Sequence, residues 1–389
     1  MKTFEFSGEI EASKSLMNRA LVVQSYRADF AINSESQSRD VVHLKLAMQN
    51  LNSPLFQVGE GGTTFRFLVL RKSRDKGVWN FHGTSRLMAR PSLGLDNLLS
   101  QLGVHITFRD QENYQITSNG WSFKNPIKVD LSQSSQFASA LLLNCWNLDQ
   151  DLEMQLSEKK VSDGYFEMTI QFLQQCGMVI EQFHNSVLIR KNQSVQISEC
   201  IIEPDISSAF VVAALAAVRG HCKIHKFPHV SLQPDFEFIN FFKKMKIPLE
   251  LNSSVLTVGR AEKIEPLQAS LRNCPDLFPV LSVILSKADG VSHLYDAPQL
   301  VHKESNRLLK TSELLKLMKV NHEIYDDGIK ISGSKHHHEF FDFNPDQDHR
   351  LAFAAAVAKS MGYRLRILHP EVVDKSFPQF WSLISGGPG

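Results

Sequence analysis

Lys14, Ser15 and Arg19 lie in the segment EASKSLMNRALVVQSY, where a short polar cluster opens an apolar, helix-like run. Lys14 and Asn18 would share one helix face at i,i+4, and Ser15 and Arg19 the next. Residues of the same kinds recur at the starts of other such runs. Gly61, Gly62, Thr63 and Thr64 lead into Arg66, and Ser134, Ser135 and Gln136 lead into FASALLL. Lys303, Glu304 and Arg307 stand in KESNRLL, Asp348, His349 and Arg350 open LAFAAAVA, and Lys375 opens a last short run. Arg86 and Arg90 stand four residues apart in SRLMARP. A helix start presents unpaired N–H groups and a partial positive charge, so it suits an anion. Glycines there let backbone N–H groups approach an oxyanion without a Cβ in the way. Two arginines at one helix entrance repel each other unless an anion joins them. Taken singly, each cluster reads as a cap followed by a solvated first turn. Together they describe a protein that grips something carrying several negative charges.

The elements that carry these residues repeat. The six polar clusters begin near residues 11, 61, 133, 205, 275 and 346, with spacings of 72, 72, 70 and 71 residues after the first gap of 50. A second series of amphipathic segments starts at Arg90, Ser162, Gln233 and Lys303, with a shorter one at Asp374. Between them lie runs with period-two alternation, such as VHITF, SVLIRKN, SVLTVG and RLRILH. A fixed period implies a repeated supersecondary unit. One near 70 residues fits α/β modules that share cores better than a thin solenoid. The fold class is therefore mixed α/β (α+β), in two domains, with Ser198–Pro204 dividing the repeats three and three.

Composition narrows the function classes. The 389 residues are 43% hydrophobic and 21% charged, and the net charge is +1, so the whole chain has no strong pull toward nucleic acid or membrane. Any anion site must come from local clustering of cations. Five scattered cysteines, with no CxxC pair, read as reduced thiols of a cytoplasmic protein. The acidic N-terminal stretch MKTFEFSGEIEASK does not read as a signal peptide, and the apolar run Phe210–Val218 is too short to span a bilayer. His336–His338 reads as a solvated turn, because adjacent histidines rarely converge on one ion.

Eight segments, in order and spread over nearly the whole chain, resemble the 5-enolpyruvylshikimate-3-phosphate synthases: ASKSLMNRAL, GEGGTTFRFL, SRLMARP, SSQFASALL, PDLFPVLSVI, KESNRLL, DHRLAFAAAV and DKSFP. The resemblance implies an inside-out barrel fold of two similar domains, each of three βαβαββ units, with the substrates between them. The domains would be residues 11–200 and residues 1–10 plus 201–389. It implies transfer of the enolpyruvyl group of phosphoenolpyruvate to the 5-hydroxyl of shikimate 3-phosphate by addition and elimination. No metal or organic cofactor is implied, and the enzyme would be a cytoplasmic monomer.

Residue by residue, the resemblance places Lys14, Ser15, Arg19, Ser134, Ser135, Gln136, Ser162, Tyr165, Asp276, Gln299 and Lys303 around shikimate 3-phosphate. It places Lys14, Gly62, Arg90, Gln136, Arg307, Arg350 and Lys375 around phosphoenolpyruvate. Asp276 matches the base that takes the 5-hydroxyl proton. Glu304 matches the acid that protonates the methylene carbon, with Lys14 a further proton-transfer candidate. A base and an acid of one type can coexist only where their environments separate their pKa values.

Several positions depart from the family pattern. Glu60-Gly61-Gly62-Thr63 replaces Asn-Ala/Ser-Gly-Thr, and Phe67 replaces a common proline. Gln299 stands for an asparagine, Val301 for an arginine and Asn306 for an aspartate. Ser162-Asp163-Gly164-Tyr165 replaces Ser-Lys/Arg-Pro-Tyr. Two alternatives stay open from these residues. One is the sister UDP-N-acetylglucosamine enolpyruvyl transferase, although its loop cysteine is missing here. The other is a non-catalytic relative that binds shikimate 3-phosphate.

Overall fold

The computed structural model describes residues 3–132, 134–158, 161–333 and 339–384. The histidine run 336–338 lies outside the described residues. The chain divides into two compact units, Ala12–Ile202 and Met1–Glu11 with Glu203–Gly389. Among the described residues no helix is long and apolar enough to cross a membrane.

In the unit Ala12–Ile202, strands Leu55–Gly59, Gly77–Gly83, Asn113–Ser118 and His105–Arg109 form one sheet in that spatial order. The first pair is parallel and the others are antiparallel. Helix Gly62–Ser73 makes the parallel crossover and helix Leu93–Gln101 the next connection, giving βαβαββ. Ile127–Val129, Leu152–Leu156, Ser186–Ile189 and Ile180–Gln182 repeat the pattern around helices Gln136–Leu143 and Asp163–Gln175. The third repeat is reduced. Its parallel pair is only Ala31–Ile32 beside Glu199–Cys200, with helices Lys14–Gln24 and Arg39–Gln49.

The other unit follows the same plan. Phe4–Glu9 pairs in parallel with Gly220–His225, so the N-terminal strand completes a sheet whose other strands come from beyond residue 219. The two strands approach so closely there that a Cβ at Gly220 would lie 1.8 Å from Phe4 O. Gln268–Ser270 and Val291–Tyr295 open the second sheet, and Phe340–Phe343 with Arg364–Ile367 form a two-stranded parallel pair.

The repeat also decides which helices are central. Ile206–Arg219, Phe278–Leu285 and His349–Ser360 have almost no polar face, and they pack on one another with nearly every residue buried. Helices Lys14–Gln24, Gly62–Ser73 and Gln136–Leu143 play the same part in their own unit. The amphipathic second series, including Arg307–Leu317, buries one side only. The segment from Asp374, read from the sequence as a further short helix, instead forms two 3-10 turns, Pro370–Lys375 and Phe380–Leu383. Pro378 separates them and prevents continuous α-helical bonding.

Candidate active site

In the unit Ala12–Ile202, Ser13 caps helix Lys14–Gln24 by accepting from Leu16 N, which fixes Lys14 and Ser15 in the first turn. Lys14 Nζ lies 3.1 Å from Asp40 Oδ2, an ion pair that is largely buried. Asp40 sits in the first turn of helix Arg39–Gln49, capped by Ser38, where the helix dipole favours a carboxylate. Thr64 donates its hydroxyl to Asp40 O at 2.9 Å, so the start of helix Gly62–Ser73 is tied to the same residue.

At the glycine loop, two guanidiniums converge on backbone. A Cβ at Gly62 would lie 2.8 Å from both Arg66 Nη1 and Arg90 Nη1. Arg66 also donates to Gln136 Oε1 and lies over the Phe137 ring, which ties the starts of two central helices together. Ser134 Oγ accepts from Gln136 N at 3.2 Å. The carboxylate-bearing residue Glu60, the family departure, is exposed.

Arg19 is buried and donates to Ser15 O at 2.7 Å, Thr169 Oγ1 at 2.9 Å and Tyr165 O at 3.0 Å. All three acceptors are neutral. Burial without a compensating carboxylate pulls its guanidinium down to about 9, so it remains a cation at neutral pH. Phe67, where the family carries proline, is buried with its ring centroid 5.5 Å from Arg19 Cζ. Ser162 is buried in a left-handed conformation before helix Asp163–Gln175, whose first turn carries Tyr165.

The other unit holds a charged network. Asp276 lies in the 3-10 turn Pro275–Leu277 that leads into the central helix Phe278–Leu285. Its carboxylate accepts from Arg307 Nη1 at 2.7 Å and Arg350 Nη2 at 3.0 Å, with Lys303 Nζ at 3.7 Å. Arg307 also donates to Glu304 Oε2 at 2.8 Å and to Asp348 Oδ2 at 2.8 Å. Lys375 Nζ reaches Glu304 Oε1 at 3.3 Å. Asp348 is fully buried, and its side chain also caps helix His349–Ser360 by accepting from Arg350 N. Burial pushes the Asp276 carboxyl up, but the charges of Arg307, Arg350 and Lys303 outweigh it and hold the group well below the usual carboxylate range.

Within its own unit, each set of candidates named from the sequence forms contacts of this kind. Lys14 is tied to Asp40, Gln136 to Arg66, and Arg19 to the backbone of Ser15 and Tyr165, while Asp276, Lys303, Glu304, Arg307, Arg350 and Lys375 form one network. Gln299 donates from a buried position to Arg272 O at 2.9 Å. Asn306 caps helix Arg307–Leu317 by accepting from Leu309 N at 3.0 Å.

Sequence reasoning gave no role to Asp40 or Asp235 and did not pair Asp348 with Arg307. Asp40 follows an ordinary serine cap, and Asp348 reads as a cap itself. Asp235 follows proline at the start of the turn Pro234–Glu237, where an acid looks like simple dipole compensation. Asp235 is buried and accepts from Ser207 Oγ. Burial, then the charge of Asp276, pushes its carboxyl up to about 6 against the opposing pull of Arg350.

Solved structures share this architecture. An EPSP synthase from Acinetobacter baumannii superposes with a TM-score of 0.78 at 20% identity, covering 100% of this chain and 96% of that one. The enolpyruvyl transferase NikO from Streptomyces tendae superposes at 0.73 with 12% identity, covering 98% and 94%. The fold is thus that of the enolpyruvyl transferases, and structure alone does not separate its branches. Sequence does. The family described as EPSP synthase (3-phosphoshikimate 1-carboxyvinyltransferase) matches residues 10–384, and the chain belongs to it. A 3-phosphoshikimate 1-carboxyvinyltransferase of Syntrophobacter fumaroxidans is 30% identical over 330 residues, 83% of this chain and 78% of that protein. Neither alternative left open by the sequence is favoured by these relatives.

Proposed function

We propose that this chain transfers the enolpyruvyl group of phosphoenolpyruvate to the 5-hydroxyl of shikimate 3-phosphate, with Asp276 as base and Glu304 as acid. The observation that carries the assignment is the network in which Arg307 binds Asp276 and Glu304 together, with Arg350 on the first and Lys375 on the second. Two carboxylates among four cations, Lys303 near Asp276 being the fourth, offer proton transfer beside charge stabilisation for a multiply charged substrate.

The 5-hydroxyl oxygen attacks C2 of phosphoenolpyruvate while Asp276 takes its proton, and C3 receives a proton from Glu304 or Lys14. The tetrahedral adduct then expels phosphate from C2 and loses a proton from C3, which restores the double bond. Arg307, Arg350 and Lys303 hold the Asp276 carboxyl well below the usual range, which makes it a weak base. The carboxylate and phosphate of phosphoenolpyruvate would draw on Arg307, Arg350 and Lys375, and that competition would raise the basicity of Asp276 as the substrate arrives. Shikimate 3-phosphate would place its phosphate on Arg19, a buried cation with neutral partners.

The test is release of inorganic phosphate when purified protein meets both substrates. Release that requires shikimate 3-phosphate supports the assignment. Its absence, with shikimate 3-phosphate still bound, would leave only a binding protein. Lys375→Met is expected to abolish turnover, and a near-normal rate would remove Lys375 from its role.

A further inference from the structure

Asp40 meets two of the three central helix starts in its unit. Its Oδ2 holds Lys14 Nζ at 3.1 Å, and its backbone oxygen accepts from Thr64 Oγ1 at 2.9 Å. Its Oδ1 faces the glycine loop, 2.9 Å from the Cβ that alanine would add at Gly61. The same Cβ would lie 2.6 Å from Thr64 Oγ1. Contacts this short force a shift of a buried carboxylate or of a hydroxyl already committed to a hydrogen bond. Asp40 is itself anchored, in the first turn of a helix capped by Ser38 and only 5% exposed. A lysine ammonium on four rotatable bonds has no fixed direction of its own. Pairing it with a rigid, buried carboxylate supplies one.

We propose that Asp40 is a positioning residue that aims the Lys14 ammonium at phosphoenolpyruvate, and that residue 61 is glycine to leave room for this carboxylate beside the loop. The inference rests on the assigned reaction for the identity of the substrate. It adds a link between the departure at Gly61 and the placement of Lys14.

A double-mutant cycle separates positioning from general support of the fold. Asp40→Asn keeps the shape and removes the charge, and it should weaken phosphoenolpyruvate binding about tenfold in the presence of shikimate 3-phosphate. In a Lys14→Met background the same change should cost no further affinity. Asp40→Glu should recover part of the loss, and Gly61→Ala should reproduce it without adding to Asp40→Asn. An equal loss in both backgrounds, or wild-type affinity in Asp40→Asn, overturns the inference. Wild-type protein that releases no phosphate would instead defeat the assigned reaction. The same cycle, read with inorganic phosphate as the probe, would then still decide whether Asp40 acts through Lys14.

Discussion

Arg19 donates to two backbone carbonyls and a threonine hydroxyl, whereas Arg307 donates to three carboxylates. Both side chains are buried, and burial pulls both downward, but only one has carboxylates to oppose it. Without a counter-charge it draws Arg19 down to about 9. For Arg307 it is outweighed by Asp348, then Asp276 and Glu304, which hold the guanidinium well above its ordinary value. The first arrangement keeps an unmet positive charge ready for an anion that always arrives ionised, such as a phosphate ester. The second is already neutralised internally, so an anion entering it must displace carboxylates. Displacing them changes their proton affinity, and proton transfer requires that change. Binding and chemistry thus call for different environments around the same side chain.

The largest expected contrast comes from removing one charge from each place. Arg19→Met should weaken shikimate 3-phosphate about a hundredfold or more, as for truncation of one partner of a buried charge pair. The ligand-induced rise in Tm should disappear with it, because a ligand stabilises only what it binds. Asp348→Asn should behave oppositely. It strips the buried carboxylate that holds Arg307 and Ser305, so the ligand-free protein should lose about 3 kcal/mol. Its Tm should still rise with shikimate 3-phosphate. Thermal unfolding with and without that ligand measures both. An Arg19→Met variant as destabilised as Asp348→Asn would erase the distinction.

Asp235 sharpens the charged side of the comparison through pH. Its folded carboxyl titrates near 6 and its unfolded one near the ordinary 3.8, so folding favours the protonated form. The stability contributed by that preference is complete below about 3.8 and is lost as pH rises through about 6. Above that, the wild type carries a buried anion that Asp235→Asn lacks, while an asparagine oxygen can still accept from Ser207. The variant should therefore be more stable than wild type at pH 7 to 8 by several degrees in Tm, with the gap closing toward pH 4. A gap independent of pH would mean that the carboxyl is not the cause.

The mixed α/β class and the repeated helix starts were legible because a pattern of polar cluster, apolar run and alternating strand survives in one-dimensional spacing. Cations at those starts were legible for the same reason. The partners of those cations were not. Asp40 is 26 residues from Lys14, and Asp348 is 41 from Arg307, so only the fold could show that each cation is held by a particular carboxylate. Asp40, Asp235 and Asp348 all occupy helix or turn starts, where an acid has an ordinary explanation. The truncation of the third repeat in each unit was equally hidden. Its polar cluster and apolar run look like the others in the sequence, while its sheet shrinks to a parallel pair.

The smallest expected effect tests how Arg19 keeps its place without a carboxylate. Phe67 is fully buried, and its ring lies beneath the guanidinium where the family pattern has proline. A cation over an aromatic face gains about 0.5–2 kcal/mol, more where water is excluded. Phe67→Leu keeps an apolar side chain and removes the ring. Shikimate 3-phosphate should then bind roughly two- to thirtyfold more weakly, as that energy converts at about 1.4 kcal/mol per decade. The loss should vanish in an Arg19→Met background, because the ring then has no cation to hold. If Phe67→Leu lowers Tm but leaves affinity unchanged, the ring only fills space. Arg19 would then be fixed by its three neutral acceptors alone.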